Sequence, residues 1–536
     1  MSQLPRRSFL GRAASAAAAL GANSWLARAA QAQSAATRAR VIVDPARTVA
    51  ALDRRLFGSF LEHLGRAIYG GVYEPGSKLA DADGFRRDVL EEVRTLGVPI
   101  VRYPGGNFVS GYDWRDGVGP KADRPRVLER AWNSTETNQF GTNEFMAWCR
   151  ATGVEPLLGL NFGTGSAEMA AALVEYCNVE KGTRWSELRR RHGVEKAHGV
   201  KRWCLGNEMD GPWQIGHMTA RDYGRKADDA ARQMRIVDPG LQLIACGSSG
   251  PGMGTFLEWD REVLEECYDV VDAISLHRYF GLHDPQAKDN DARFLAVNLE
   301  MDRQIEEVAA VCDLVRGRKR SAKRLWLSFD EWNVWYRATD GNGKREEAPR
   351  LLEEMYDLRD ALVVGGAVNT LLRHSDRVRL ACLAQLVNVI APIFTNADGL
   401  FRQTIYYPYA WGLGHAKGDV LDLVPEGGAT YEVPKTGSVP YLDVAGTFDR
   451  ESGRSCLLVL NRDLDKPREL EVVWRDGIPA RVVKAEVLSG PDLKAVNSFA
   501  EPKRVAPQPL AAPKPGARIV LELPPRSYSV IVLATS

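Results

Sequence analysis

From about residue 58 to about residue 420 the chain alternates helix-period segments with short apolar runs, and this limits the architectures open to it more than any other feature. In the first unit Phe85, Val89, Leu90, Val93 and Leu96 share one helical face. Gly97 can close that helix, and Val98 to Tyr103 reads as a buried strand ending in Pro104-Gly105-Gly106. Further helices are expected over Phe145 to Ala151, Ala227 to Ile236, Arg261 to Cys267 and Leu295 to Arg316. Further strands are expected over Leu56 to Leu61, Pro156 to Asn161, Val200 to Leu205, Leu241 to Cys246, Val270 to His277 and Leu325 to Phe329. Strands separated by helices imply a parallel sheet with crossovers. An open doubly wound sheet also alternates, so the strand ends decide. Glu62, Asn107, Asn161, Glu208, Ser248, His277 and Glu331 follow nearly every strand, as on the face of a (β/α)8 TIM barrel that carries its site. An eighth strand is expected between Ala367 and Thr395, with no clear bounds.

After about residue 420 the pattern changes to period two. Cys456 to Leu460, Glu469 to Trp474, Val482 to Leu488 and Arg518 to Leu523 read as antiparallel strands, giving an α/β barrel plus a C-terminal β-sandwich. At the other end, Pro5-Arg6-Arg7-Ser8-Phe9-Leu10 precedes an alanine-rich stretch and an A-x-A site at Ala30-Gln31-Ala32. Residues 1–32 therefore read as a Tat-type signal peptide, and the expectation is export to the periplasm or beyond. No later run reaches the ~18 apolar residues that span a bilayer. The formal net charge is +1, with no Lys/Arg block to track a phosphate backbone, which argues against a nucleic-acid partner. The eight cysteines form no C-x-x-C pair and read as buried thiols.

Two segments carry chemistry. In Trp203-Cys204-Leu205-Gly206-Asn207-Glu208-Met209-Asp210-Gly211-Pro212-Trp213 a strand delivers Asn207 and Glu208 into a Gly/Pro loop edged by tryptophans. In Leu327-Ser328-Phe329-Asp330-Glu331-Trp332-Asn333-Val334-Trp335-Tyr336 another delivers Glu331 among aromatics. Taken singly, each glutamate reads as an ordinary ion-pair residue. Two strand-end carboxyl groups facing one sugar ring are what glycoside hydrolysis needs: one protonates the departing oxygen, and the other attacks or stabilises the oxocarbenium-like carbon. Competing motifs fail. Gly163-Thr164-Gly165 lacks both the third glycine and the lysine of a phosphate loop. No H-E-x-x-H occurs, and His277 with His283 is too little for zinc, so no metal or cofactor is expected. His277 reads as a hydrogen-bonding member of the site or as a satisfied core residue. Gly-x-Ser-x-Gly is absent.

At these motifs the sequence resembles glycoside hydrolase family 51, the α-L-arabinofuranosidases. The similarity is carried by Phe57 to His63, Arg102 to Phe108, Trp203 to His217, Ile274 to Tyr279, Ser328 to Tyr336 and Arg402 to Tyr409. The resemblance implies a (β/α)8 catalytic barrel over 58–420, with 39–57 and 421–536 forming a discontinuous β-sandwich domain. It also implies a retaining mechanism, no catalytic metal, and a homo-oligomer that is often a hexamer. Carried over by position, Glu208 would be the acid/base and Glu331 the nucleophile. Glu62, Asn107, Asn207, Tyr279 and Gln403 would hold the arabinofuranose, and Trp132 and Trp335 would line its pocket. The activity implied is exo-acting release of terminal L-arabinofuranose from arabinan, arabinoxylan or their oligosaccharides. An endoglucanase or xylosidase of the same family, or a carbohydrate-binding protein without catalysis, stays open at this stage. Phe280, where many relatives have a second tyrosine, and the leader are the departures.

Overall fold

The computed structural model describes residues 38–281, 290–336 and 345–535. Eight parallel strands close into a barrel in sequence order: β1 (Gly58–Phe60), β2 (Ile100–Tyr103), β3 (Glu155–Gly159), β4 (Arg202–Leu205), β5 (Gln242–Ala245), β6 (Ala273–Phe280), β7 (Trp326–Val334) and β8 (Val378–Leu383). The strand without clear bounds in the sequence is β8, whose Cys382 and Leu383 pair with Gly58 and Ser59 to close the ring. Helices return the chain between strands as expected. Arg87–Leu96 is typical: Val89, Leu90, Val93 and Leu96 are buried, and Gly97, at φ 75°, ends it by donating its N–H to the carbonyl of Val93. A residue with a Cβ would be strained in that left-handed conformation.

Two of the polar strand-end residues lie inside strands. β6 runs on to Phe280 and β7 to Val334, so His277 and Glu331 are paired residues, directly opposite each other in register. Both ladders around β7 slip, between Ser275 and His277 on one side and between Phe329 and Trp332 on the other.

The C-terminal region holds two sheets. A four-stranded sheet runs Glu426–Gly427, Ala39–Val43, Arg468–Trp474, Arg518–Leu523. A seven-stranded sheet runs Thr48–Ala51, Asp419–Leu421, Leu442–Asp449, Arg454–Asn461, Ser527–Ala534, Arg481–Ser489, Gln508–Pro509. Val41, Val472 and Leu521 of the first pack against Leu457, Val459 and Ile531 of the second. The other face of the larger sheet, through Leu458, Tyr528 and Val530, joins the barrel core. Its inner strand Ser527–Ala534 is buried along its whole length and shows no alternation, whereas Arg518–Leu523 of the smaller sheet alternates exposed and buried. Helix Leu358–Arg373, buried except at Arg373, fills the space between barrel and sheet. A Cβ on its Gly365 would fall 2.6 Å from the ring of Tyr528, so only glycine allows this approach. All eight cysteines are free and buried. Among the described residues no helix is long and apolar enough to cross a membrane.

Candidate active site

The C-terminal ends of the barrel strands converge, and the irregularities of β6 and β7 decide what meets there. In a regular strand Asp330 and Glu331 would point to opposite faces. The slipped register lets both turn toward the barrel axis, the usual consequence of an extra residue in one strand. Arg102, from β2, reaches both: its Nη1 donates to Glu331 Oε1 at 2.5 Å, and its Nε lies 3.5 Å from Asp330 Oδ2. The same guanidinium donates through Nη2 to Asn207 Oδ1 at 2.7 Å. Tyr279 donates its hydroxyl proton to Glu331 Oε2 at 2.8 Å.

Glu208 is placed by a tight turn after β4. Gly206 has φ 100°, Glu208 itself φ 45°, and the N–H of Gly211 donates to the carbonyl of Glu208 at 2.8 Å. A non-glycine residue held in the left-handed region costs about 1–3 kcal/mol. The turn aims the carboxyl group at two donors. His277 Nδ1 lies 3.0 Å from its Oε1, and Trp213 Nε1 donates to its Oε2 at 2.8 Å.

Glu208, His277 and Glu331 each offer one atom of a set lying within 4.8 Å of one another, so an oxygen of each glutamate is that close to its counterpart. Among the described residues this is also the one set of side chains that could hold a metal ion. Arg102 and His277 already put positive charge there, which a cation would have to displace. Burial raises the Glu208 carboxyl above its ordinary range, and the charge of Glu331 adds to this, while hydrogen bonds from His277 and Trp213 act the other way. Burial works against a charged His277, but Glu331, Asp330 and Glu208 outweigh it and push the imidazole up to about 10. Asp330 is held low: its burial is overcome by Arg102 and His277.

Glu62, beyond β1, is buried, and burial pushes its carboxyl group up to about 8. Its Oε1 accepts from Phe108 N and Trp132 Nε1, both at 2.9 Å, and its Oε2 accepts from Gln385 Nε2 at 3.3 Å. Gly105 and Gly106 are needed for this side chain: a Cβ on Gly105 would lie 2.9 Å from Glu62 Cγ, and one on Gly106 would strike its carboxyl group. Asn107 opens the short helix Asn107–Gly111, and its Oδ1 is 3.4 Å from Asn207 Nδ2. Trp335 packs edge-on against Tyr279, with ring centroids 4.9 Å apart.

Gln403 stands apart from these. Its Oε1 accepts from Tyr356 N, and its Nε2 donates to the carbonyls of Glu354 and Ala391, so its amide is occupied by backbone. The glutamine that touches the site is Gln385, just past β8, which also accepts from Glu62 N at 3.0 Å. Sequence reasoning missed it because β8 could not be bounded. It also passed over Arg102 and Asp330, although both lie beside residues it singled out. Asn161 serves its own loop, capping Thr164 and Gly165, and Ser248 ties its loop to that of Glu208 by donating to Asp210. His283 lies outside the described residues.

A closed parallel barrel with two neighbouring carboxyl groups, one on the turn after β4 and one in the C-terminal half of β7, among buried hydrogen-bonding groups and aromatic rings, defines a barrel glycosidase. Residues 92–291 match the model of the α-L-arabinofuranosidase 1 domain, and residues 330–527 that of the α-L-arabinofuranosidase C-terminal domain. The chain belongs to glycoside hydrolase family 51, the α-L-arabinofuranosidases. It is 47% identical to the intracellular exo-α-(1→5)-L-arabinofuranosidase 1 of Bacillus subtilis, over 86% of this chain and 92% of that one. It is 48% identical to the intracellular exo-α-(1→5)-L-arabinofuranosidase of Streptomyces lividans, over 92% and 75%. The solved family 51 α-L-arabinofuranosidase of Bifidobacterium longum superposes with a TM-score of 0.88 at 40% identity, covering 92% of this chain and 99% of that one.

These relatives correct the expectation of export, since both the B. subtilis and S. lividans enzymes are named intracellular. The arginine pair and alanine-rich stretch that suggested a Tat signal lie in 1–32, outside the described residues.

Proposed function

We propose that this chain is a retaining, exo-acting α-L-arabinofuranosidase that removes terminal non-reducing L-arabinofuranosyl residues from α-1,5-linked arabinan and its oligosaccharides, and from arabinoxylan. The observation that carries the reading is the carboxyl pair. Oxygens of Glu208 and Glu331 within 4.8 Å fit a retaining site, where the two groups stand ~5–5.5 Å apart, and leave no room for the water of an inverting one. Glu331, fixed by Arg102 and Tyr279, is the nucleophile that bonds the anomeric carbon. Glu208, raised above its ordinary range, gives its proton to the glycosidic oxygen and then, as a carboxylate, takes one from the water that hydrolyses the glycosyl-enzyme.

Glu62, Asn107, Asn207, Tyr279 and Gln385 are the groups we assign to the furanose hydroxyls, with Trp132 and Trp335 as its apolar walls. The relatives do not favour an endoglucanase, a xylosidase or a non-catalytic sugar binder. The family resemblance extends to a homo-oligomer, which sedimentation equilibrium measures directly. The test of function is release of 4-nitrophenol from a panel of aryl furanosides and pyranosides. Turnover is expected on the α-L-arabinofuranoside, at least a hundredfold above the β-D-xylopyranoside and β-D-glucopyranoside; a preference for either pyranoside overturns the reading.

A further inference from the structure

Glu62 and His63 are neighbours in sequence with different surroundings. Glu62 accepts from Trp132 Nε1 in the sugar site, whereas His63 is buried away from it. His63 Nδ1 donates to Glu136 Oε2 at 2.8 Å, and its Nε2 lies 2.9 Å from the Tyr103 hydroxyl. Its ring stacks on Phe108, with centroids 4.6 Å apart, and Phe108 N is a second donor to Glu62 Oε1. Trp132 and Glu136 belong to one hairpin, Val127–Glu129 paired with Ser134–Glu136. Two strands of three residues are not stable by themselves, so the place of Trp132 depends on what seats the hairpin. At the tip Glu129 accepts from Ala131 N and Trp132 N, both at 2.6 Å, which ties the backbone of Trp132 to the hairpin itself. At the base Glu136 Oε1 accepts from the Tyr69 hydroxyl at 2.5 Å and from Asn138 N at 2.6 Å, which leaves Oε2 for His63. Burial alone would raise the Glu136 carboxyl group, but His63, Tyr69 and Asn138 overcome this and hold it below its ordinary range. An ionised acceptor makes the bond from His63 one of the stronger kind.

We propose that His63 is a positioning residue for the sugar site: through Glu136 it seats the hairpin that carries Trp132, and through its ring it holds Phe108, so that both donors converge on Glu62. The proposal rests on the reading of Glu62 and Trp132 as groups that grip the furanose. Glu62 Oε1 is fixed by these two donors, so a shift of the hairpin displaces both the carboxyl group that meets a furanose hydroxyl and the indole wall beside it. A displacement on the order of 1 Å in a reacting site is enough to lower the rate severalfold or more.

His63→Phe keeps a ring against Phe108 and removes the bond to Glu136. Its kcat/KM is expected to fall about tenfold, the weight of one hydrogen bond to a charged oxygen. The factor should be the same on 4-nitrophenyl α-L-arabinofuranoside and on α-1,5-arabinotriose, because both seat the same terminal furanose and differ only in the leaving group. In a Trp132→Ala background the same substitution should cost less than about twofold, since the side chain through which His63 acts is gone, and such non-additivity marks two residues acting together. A tenfold loss that persists in that background, a loss confined to one of the two substrates, or an unchanged kcat/KM overturns the proposal. Melting curves verify folding. If His63→Phe alone does not fold, because Glu136 is left charged and short of a donor in the interior, His63→Phe together with Glu136→Gln takes its place in both backgrounds, with the same losses expected. The panel of aryl glycosides on the wild type tests the activity separately, and the coupling is measured on whichever glycoside is turned over, so each reading can fail without the other.

Discussion

His277 Nδ1 stands 3.0 Å from Glu208 Oε1, and the same nitrogen is 3.7 Å from Glu331 Oε2. One imidazole thus touches both carboxyl groups, and on its far side Nε2 lies 3.4 Å from the buried Asp330. With Arg102 it makes two cations among four carboxyl groups, those of Glu62, Glu208, Asp330 and Glu331. The shortage of positive charge and the burial together explain why two of the four are pushed upward. A site that must hold one carboxyl group protonated and another ionised at the same pH needs unequal surroundings of this kind.

Replacing His277 by Gln removes a donor that favours the carboxylate of Glu208. Its proton should then be held more tightly, and the basic limb of kcat/KM should move to higher pH. The maximal rate is expected to fall about ten- to a hundredfold, the usual weight of a charge-assisted contact in a closed site. A pH profile superimposable on the wild type would contradict this.

Glu331→Gln should remove turnover on every substrate, aryl arabinosides included, because no covalent intermediate can form. In the wild type, proton NMR of the first-formed sugar should show the α anomer, the outcome of two inversions at the same carbon. A β product means an intervening water and excludes Glu331 as nucleophile.

Glu208→Ala should spare activated aryl arabinosides relative to natural oligosaccharides by about two orders of magnitude, the usual range of general acid catalysis. The basic limb should disappear from the profile on the aryl substrate, since the group whose deprotonation caused it is gone. A surviving basic limb assigns the acid to another residue.

The barrel was legible because each crossover writes its own helix and strand periods into the chain, and seven of its strands could be placed from apolar runs alone. β8 was not, since Val378–Leu383, buried at every residue but Arg379, carries no alternation that would mark its ends. Ser527–Ala534 escaped for a related reason, as a strand covered on both faces carries no alternation. In the site, Glu208 and Glu331 stood out by their aromatic surroundings. Arg102 and Asp330 did not, because their meaning lies in a register slip of β7 that no periodicity reveals. Gln403 and Gln385 show the limit of motif matching: both are buried glutamines near strand ends, and only the hydrogen-bond partners separate the one used by backbone from the one on Glu62.

Asn107 is partly exposed, and the hydrogen bond its side chain makes is a long one to Asn207. Asn107→Ala should therefore lower kcat/KM on arabino-oligosaccharides by about ten- to a hundredfold, one hydrogen bond to a sugar hydroxyl strengthened in the transition state. The melting temperature should stay within about 1 °C. A large fall in melting temperature with unchanged kcat/KM would make Asn107 a structural residue of the Gly105-Gly106 turn.

Asp443 ties the barrel to the C-terminal sheets. From strand Leu442–Asp449 its carboxylate accepts from Arg373 at 2.6 Å and Asn369 at 3.0 Å on the interlayer helix, from Asn298 at 3.0 Å, and from the fully buried Arg462 at 2.5 Å. Burial alone would raise its carboxyl group, but Arg373 and Arg462 overcome this and hold it well below the ordinary carboxylate range. Asp443→Ala leaves Arg462 buried without its counter-charge and should cost about 3–5 kcal/mol of stability, read as a lower urea midpoint. Asp443→Asn, which keeps one acceptor oxygen, should cost less. Because the folded-state value is depressed, the contribution is complete above the unfolded carboxylate range near ~4 and is lost as pH falls toward the folded-state value. The gap in stability between wild type and Asp443→Asn should accordingly narrow as pH is lowered from 6 to about 3. A gap that is constant across this range, or an Ala variant within about 1 kcal/mol of wild type, would mean that apolar packing of Leu458, Tyr528 and Val530 joins the two regions without help from this ion cluster.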